Sequence, residues 1–335
     1  MFNYKWYLKD GYPEKNGLKV FSTFACGGGS SMGYKLAGYE VIGANDIDPQ
    51  MAKVYKANHN PKYFFECPIK DLITKELPEE LFNLDILDGS PPCSTFSMAG
   101  SREKAWGKNK MFREGQAKQV LDDLFFDFID LVARLKPKVV VAENVKGMLA
   151  GNAKGYLIEI KKRLQELDYE VQIFCLNGAT MGLPQRRERV FVICNRMGYP
   201  KLKLDFNEKP IYFGEIYQKG INDRKLQPKE MILWQNCKSN ESTLVNANKR
   251  LFNKDGYFKA TIIGKRDVLN TIIAGDALVL RDEPRHLNNM EMILAGSFPL
   301  DYNFGSLRPE YLIGMSVPPV MMAQVSNQIK LQWFK

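Results

Sequence analysis

Residues 19–48, "KVFSTFACGGGSSMGYKLAGYEVIGANDID", decide the fold of this chain. A short apolar run ("KVFSTFA") is followed by a glycine turn ("GGGSS"), a helix-like stretch ("MGYKLAG") and a second apolar run ("YEVIGAND"). A strand, a turn, a helix and another strand in this order predict a β-α-β unit with parallel strands. The next stretch, "PQMAKVYKAN", opens with a proline that suits the first turn of a second helix.

The same alternation continues to about residue 195. Apolar runs typical of strands occur in "LDILDGS", "PKVVVAENV", "YEVQIFCL" and "RVFVIC". Apolar residues at helical spacing occur in "DDLFFDFIDLVARLK" and "YLIEIKKRLQEL". Alternating strands and helices predict an α/β fold with a doubly wound, mostly parallel sheet.

The rhythm breaks after residue 198. The following stretch is charged and irregular, with scattered aromatic residues and short β-like runs in "KATIIG" and "NTIIAGDALVL". We predict a cofactor-binding and catalytic domain over 1–198 and 300–335, a second, smaller, irregular β-rich domain over 199–283, and a hinge segment over 284–299. The final stretch, "SVPPVMMAQVSNQIKLQW", predicts a helix that docks on the first domain.

Composition narrows the classes of protein. The chain has 335 residues and a net charge of +9, from 47 Lys+Arg against 38 Asp+Glu. This excess indicates a polyanionic partner such as nucleic acid, or else only a soluble basic protein. Six scattered cysteines without a CxxC pair, and only two histidines, argue against a metal site and indicate a reduced, cytoplasmic chain. Neither a signal-peptide pattern nor a membrane-spanning apolar run occurs, so no membrane partner is predicted.

The glycine loop of residues 24–33, "FACGGGSSMG", lies where α/β proteins bind nucleotides. It lacks both GxGxxG and the lysine of a phosphate-binding loop, which favours an adenosine-type cofactor, although a simple tight turn fits equally well. Asp46 ends the second strand, where a carboxylate can accept hydrogen bonds from ribose hydroxyls. The alternative is that Asp46 caps the next helix. The positions of the two aspartates favour Asp48 for the cap and Asp46 for the ribose.

Three further motifs follow strands of the predicted sheet. They are "GSPPCSTFS" (residues 89–97), "ENV" (143–145) and "QRRERV" (185–190). In this order they resemble the DNA cytosine-5 methyltransferases of bacterial and phage type, and the likeness covers about residues 18–198 and 284–330. The resemblance implies an enzyme that transfers a methyl group from S-adenosylmethionine to carbon 5 of a flipped-out cytosine in a specific DNA sequence. The product of the cofactor is S-adenosylhomocysteine.

The resemblance also implies roles for individual side chains. Cys93 matches the family's nucleophile, whose thiolate adds to carbon 6 of the cytosine. Glu143 matches the carboxyl group that engages the ring nitrogen and the amino group. Arg187 would contact the target base or its phosphate, and Arg189 would position the nucleophile loop. Substrate contacts would further come from Ser97, Asn144 and Gln185, with Asn144 also holding the local turn.

The cofactor site implied by the resemblance has a larger set of residues. It consists of Phe24, Ala25, Gly28, Gly29, Asp46, Ile47, Ile69, Pro92, Leu124, Met315 and Ser316. The chain departs from the usual family pattern around this site. Ser22 and Cys26 replace the aspartate and first glycine of Asp-x-Phe-x-Gly-x-Gly-Gly, Pro68 replaces an aspartate, and Met315 replaces an asparagine.

Nucleic-acid contacts are expected from two regions. The basic stretch after Cys93 carries Lys104, Lys108, Lys110 and Arg113, which suit phosphate contacts. The domain of residues 199–283 would read the target sequence in double-stranded DNA. A cognate restriction endonuclease is a candidate partner in a restriction-modification system. Glu291 matches a structural glutamate of the family.

Other functions remain as alternatives at this point. A transfer-RNA cytosine-5 methyltransferase of the same fold would share the motifs, and so would a catalytically inactive DNA-binding relative. Intact Cys93, Glu143, Arg187 and Arg189 argue against the inactive relative. A nicotinamide oxidoreductase would need the dinucleotide fingerprint that the glycine loop lacks.

Overall fold

The computed structural model describes residues 2–92, 109–110, 119–120, 124–151, 153–221, 224–256, 260–275 and 278–334. The strands are β1 (Lys19–Thr23), β2 (Glu40–Asn45), β3 (Tyr63–Phe65), β4 (Ile86–Gly89), β5 (Asn109–Lys110), β6 (Gln119–Val120), β7 (Val139–Val145), β8 (Glu170–Asn177), β9 (Gln185–Arg186), β10 (Glu188–Asn195), β11 (Thr261–Ile263), β12 (Leu269–Asn270) and β13 (Leu278–Leu280). The helices are α1 (Gly29–Leu36), α2 (Pro49–His59), α3 (Asp71–Thr74), α4 (Leu124–Leu135), α5 (Ala153–Glu166), α6 (Phe213–Ile216), α7 (Pro228–Gln235), α8 (Val245–Phe252), α9 (Asn289–Ala295), α10 (Pro309–Met315) and α11 (Pro319–Trp333).

A seven-stranded sheet forms the centre of the molecule, in the order β3-β2-β1-β4-β7-β10-β8. The five neighbouring strands β3, β2, β1, β4 and β7 run parallel to one another. Strand β10 is antiparallel to both β7 and β8. Strand β1 lies inside the sheet, next to the central strand β4. The chain winds outward from β1 in both directions, as in other doubly wound sheets. The predicted doubly wound, mostly parallel sheet is confirmed.

Helices cover both faces of this sheet because neighbouring residues of each strand point to opposite sides. Phe21, Leu87 and Val140 pack on one face with α4 and α5. Their neighbours Val20, Ile86 and Val141 pack on the other face with α1 and α11. Two-sided burial explains why the strands read as continuous apolar runs rather than as alternating patterns.

The C-terminal helix docks on the first domain, as predicted. A β-carbon added at Gly33 of α1 would lie 2.5 Å from Cβ of Met322 and 2.6 Å from the carbonyl oxygen of Pro319. Only a glycine therefore lets α1 and α11 approach this closely. Within the described ranges, no helix combines the length and the apolar character that crossing a membrane requires.

The region of residues 199–283 holds more helix than its irregular sequence predicted. It contains α6, α7 and α8 beside the parallel pair of β11 and β13. A core of its own includes Leu233, Leu244, Ala247, Ile262 and Val279. Packing also crosses the predicted boundary, because Leu202 and Leu204 belong to the core beneath α11 and β12 pairs with β9. The predicted domain limits stay predictions.

Candidate active site at the carboxyl edge of the sheet

The motif residues converge because the parallel strands end at one edge of the sheet. Gly89 of β4 pairs with Ala142 of β7, so the turn after β4 lies beside Glu143 and Asn144. Strand β10 runs the opposite way and begins where β7 ends, with Arg189 opposite Val145. Sheet topology thus brings segments far apart in sequence to a single edge, the usual ligand-binding edge of α/β folds.

Glu143 and Arg189 form an ion pair at this edge. Arg189 Nε lies 2.8 Å from Glu143 Oε1, and the two side chains are only 12% and 9% exposed. They occupy diagonal positions of β10 and β7, since Glu143 itself pairs with Phe191. Burial lowers the pKa of Arg189, and the Glu143 carboxylate opposes that shift. The arginine therefore fixes the direction of the carboxylate.

Asn144 holds the turn that leads to the predicted nucleophile. Its Nδ2 donates to the carbonyl oxygen of Pro91 at 3.1 Å, and its Oδ1 accepts the amide of Val145 at 2.8 Å. Pro92 is half-buried beside it. Cys93, Ser97, Lys104, Lys108 and Arg113 lie outside the described residues, and Lys110 is described only as part of strand β5. Their roles stay predictions.

Arg187 differs from the expectation of a contact with base or phosphate. Its guanidinium is buried and donates to three main-chain carbonyls, those of Ile272 at 3.0 Å, Gly314 at 3.1 Å and Ser316 at 2.8 Å. Burial and the neighbouring Arg189 hold the pKa of Arg187 well below its usual range. In this arrangement Arg187, which lies between β9 and β10, connects these strands to the segment after β12 and to the end of α10, which gives it a structural role.

Gln185 also holds the backbone of distant segments. The side chain is fully buried. Its Nε2 donates to the carbonyl of Ala295 at 2.7 Å, and its Oε1 accepts the amide of Ile272 at 3.0 Å. Both amide atoms thus have a backbone partner, and a contact of Gln185 with substrate stays a prediction.

The glycine loop after β1 is held in a strained shape by Asp46. Phe24 and Cys26 have φ angles of 52° and 50°, in the left-handed region that favours glycine. The carboxylate of Asp46 accepts the amides of Cys26 at 2.7 Å and Asp48 at 2.8 Å. Burial raises the pKa of Asp46 to about 6. A family glycine at position 26 would adopt this φ without strain.

The structure separates the roles of the two aspartates. Asp48 caps α2, because its Oδ1 accepts the amides of Gln50 at 2.9 Å and Met51 at 3.3 Å. Asp46 is therefore not the cap. Its two carboxylate oxygens retain acceptor capacity beyond the two amides, so a ribose contact stays a prediction.

Two glycines of the loop are required by packing. A β-carbon at Gly29 would lie 2.0 Å from the carbonyl oxygen of Val317, and one at Gly28 would lie 2.1 Å from Nε2 of His59. Ser316 Oγ lies 3.4 Å from Cys26 Sγ. The final motif of the family resemblance, here residues 313–319, therefore packs beside the loop, while its Met315 side chain is 45% exposed.

The remaining predicted cofactor residues are buried or half-buried. Ala25 is buried and Ile47 is half-buried. Ile69 and Leu124 belong to the core on one face of the sheet. Pro68 follows Cys67, whose carbonyl accepts a hydrogen bond from Asn45 at 2.8 Å. Apolar side chains suit the base of an adenosine-containing cofactor and the Asp46 carboxylate suits its ribose, so these contacts stay predictions.

One buried acid at this edge was missed by the sequence analysis. Asp88 of β4 is 1% exposed and accepts hydrogen bonds from three hydroxyl groups. The sequence feature that could have revealed it is an acidic residue inside the apolar run "LDILDG", since acidic residues are rarely buried without a partner. Across the part of the chain that the structure describes, no group of three or more histidine, cysteine or acidic side chains is arranged to hold a metal.

Comparison with known proteins relates this site to a family. The C-5 cytosine-specific DNA methylase model matches residues 18–331. The chain is 33% identical to the type II methyltransferase M.NgoPII of Neisseria gonorrhoeae over 53% of this chain and 48% of that protein. It is 32% identical to M.FnuDI of Fusobacterium nucleatum over 62% and 54%, respectively. The chain thus spans about half the length of these curated relatives.

Solved structures share the fold at low sequence identity. A putative DNA modification methyltransferase from an Escherichia coli prophage superposes with a TM-score of 0.67 at 18% identity, over 95% of this chain and all of that one. DNMT2 of Spodoptera frugiperda gives a TM-score of 0.65 at 18% identity, over 92% and 98%. The family match extends over most of the chain, including the glycine loop, Glu143, Arg189 and the final motif. The chain therefore belongs to the C-5 cytosine-specific DNA methylase family.

Proposed function

We propose that this protein methylates carbon 5 of cytosine in a specific sequence of double-stranded DNA, with S-adenosylmethionine as methyl donor. The observation that carries the proposal is the Glu143–Arg189 pair, held next to the asparagine that anchors the Pro91–Pro92 turn. Family membership and the net charge of +9 support it. Ribose and base contacts would come from Asp46 and the apolar residues around it.

The nucleophile is assigned to Cys93. Cys93 follows two residues after Pro91 in the sequence, and the carbonyl of Pro91 accepts a hydrogen bond from Asn144, the neighbour of Glu143. The thiolate is the reactive form of cysteine, whose ordinary pKa is about 8.5. Arg189 places a guanidinium group at this edge of the sheet, and positive charge nearby favours the thiolate.

Glu143 provides the matching group on the substrate side. Its carboxyl group, oriented by Arg189, would bind the ring nitrogen and amino group of the cytosine as the thiolate adds to carbon 6. Such a contact strengthens as charge develops on the ring, and so it stabilises the transition state more than the ground state. The target base must leave the duplex to reach these groups. When bound, S-adenosylmethionine supplies an electrophilic methyl group.

The wider biological setting follows from the same proposal. Residues 199–283 would read the target sequence, and the basic stretch after Cys93 would hold the DNA backbone. A cognate restriction endonuclease would act on the same sequence in the cytoplasm, where methylation protects the host DNA.

Labelled S-adenosylmethionine provides the direct test. We expect label to enter duplex DNA, at carbon 5 of cytosine within one sequence context, and not transfer RNA. Cys93→Ser, prepared identically, controls for contaminating enzymes and should incorporate none. Label in transfer RNA alone would favour the transfer-RNA enzyme of the same fold, and label in neither nucleic acid would support an inactive relative.

A further inference from the structure

A buried carboxylate behind the glycine loop has no role in the chemistry described above. Asp88 is the third residue of β4, and the turn that carries Pro91 and Pro92 begins soon after it. Its Oδ2 accepts hydrogen bonds from Ser22 Oγ and Ser30 Oγ, both at 2.7 Å, and its Oδ1 accepts one from Tyr34 Oη at 3.2 Å. Three hydroxyl groups thus solvate a charge that water does not reach.

These contacts join three elements of the predicted cofactor site. Ser22 belongs to β1, which leads into the glycine loop, and Ser30 and Tyr34 belong to α1, which follows that loop. Asp88 itself belongs to β4, which leads to the nucleophile turn. Negative charge is also favourable near the first turn of a helix. One carboxylate therefore fixes both ends of the glycine loop to the strand that carries the nucleophile turn.

The strand register explains how β4 provides this group. Ser22 and Asp88 are direct partners in the parallel pairing of β1 and β4, so their side chains stand on the same face of the sheet. The family pattern has an aspartate at the position of Ser22. In this chain a hydroxyl occupies the β1 position, and it donates a hydrogen bond to a carboxylate on the neighbouring strand.

We propose that Asp88 is a positioning residue for cofactor binding, which supplies from β4 the carboxylate that Ser22 cannot supply from β1. The proposal rests on the proposed function insofar as it takes the glycine loop to bind the cofactor. Asp88 holds Ser22, Ser30 and Tyr34 so that the loop between them keeps its binding shape. A cofactor bound to the loop is thereby placed relative to the turn of Pro91 and Pro92.

The carboxylate is retained at a cost to stability. Burial raises the pKa of Asp88 from 3.8 to about 6 and Glu143 adds to the shift, against the lowering effect of the three hydroxyls. Because the folded-state pKa lies above the unfolded value, the contribution of this group to stability falls as pH rises from about 4 to 6. At neutral pH an uncharged side chain of the same shape would be tolerated better. A purely structural role gives no reason to keep the charge.

Replacing Asp88 by asparagine separates the two roles. We expect Asp88→Asn to weaken binding of S-adenosylhomocysteine, measured by calorimetry, by about tenfold or more, as for loss of a charged hydrogen-bond acceptor. Its melting temperature at pH 7 should equal or exceed that of the wild type. A group needed only for folding would instead lower the melting temperature and leave the affinity of the folded fraction unchanged, which would overturn the proposal.

A second test moves the carboxylate from β4 to β1. The double variant Ser22→Asp with Asp88→Ser should bind S-adenosylhomocysteine within about threefold of the wild type, whereas Asp88→Ser alone should not. If Asp88→Ser does not fold, Ser22→Asp is combined with Asp88→Asn instead. A double variant no better than its single parent contradicts the inference.

The binding assay also separates this inference from the proposed function. It needs no DNA and no methyl transfer, so a wild-type chain that binds S-adenosylhomocysteine but methylates no nucleic acid contradicts only the proposed function. A wild-type chain that does not bind the compound contradicts both.

Discussion

Replacing Glu143 by glutamine is expected to slow methyl transfer to DNA by about 10²- to 10⁴-fold while the protein remains folded. The amide retains an oxygen for Arg189 Nε, which lies 2.8 Å from the carboxylate in the wild type. It loses the negative charge and the ability to exchange a proton with the cytosine ring nitrogen. Single-turnover incorporation of labelled methyl groups gives the rate, and circular dichroism gives the folded fraction.

Glu188→Gln is the matched control for this prediction. Glu188 lies on β10 beside Arg189, but its side chain is 42% exposed and pairs with Lys146 at the surface. Exposed ion pairs contribute about 0–1 kcal/mol, so this variant should keep the wild-type rate and stability. A Glu143→Gln enzyme that remains within a few-fold of the wild-type rate would contradict the role assigned to Glu143.

Truncating Glu291 to alanine is expected to lower the free energy of unfolding by about 3–5 kcal/mol, as is usual when one partner of a buried ion pair is removed. Arg285 and Glu291 are both fully buried, and two N–O contacts of 2.8 and 2.9 Å join them. Glu291 also accepts the amides of Asn288 at 2.9 Å and Gln218 at 3.0 Å. Its loss leaves a buried guanidinium and two amides without this acceptor. Urea denaturation followed by circular dichroism measures the change.

Glu283 provides the comparison within the same network. It contacts Arg285 Nε at 2.7 Å, but its side chain is 32% exposed, so water can replace it. We expect Glu283→Ala to cost about 1 kcal/mol or less. Equal losses for the two variants would show that burial does not set the importance of these carboxylates, contrary to the structural role given to Glu291.

The central sheet was predictable because its strands are buried on both faces. The run "VVVA" of β7 has no polar residue, and any register of a two-sided strand buries such a run. Strand β3, with three half-buried residues at the sheet edge, carries no such signal. Helices α7 and α8 were missed for a related reason. Each is eight residues long, and isolated helices of that length depend on tertiary packing.

The site was predictable where sheet topology alone brings residues together. Glu143 and Arg189 end and begin adjacent strands, so both could be placed at this edge from the order of motifs, although their ion pair was not predicted. Gln185 and Arg187 could not be assigned in this way. Their partners include Ile272 and Gly314, which lie far along the chain in segments without regular patterns. Asp88 was missed because its contact with Ser22 depends on the register between β1 and β4, which the sequence does not show.

The central claim is that Cys93 attacks the target cytosine, and a covalent trap tests it most directly. Duplex DNA carrying 5-fluorocytosine at the methylated position is incubated with the protein and S-adenosylmethionine. Denaturing electrophoresis and peptide mass spectrometry then locate any adduct. We predict a stable protein–DNA adduct on the peptide that contains Cys93, absent in Cys93→Ser. An adduct at another cysteine such as Cys26, or no adduct on a sequence that the wild type methylates, would contradict the account.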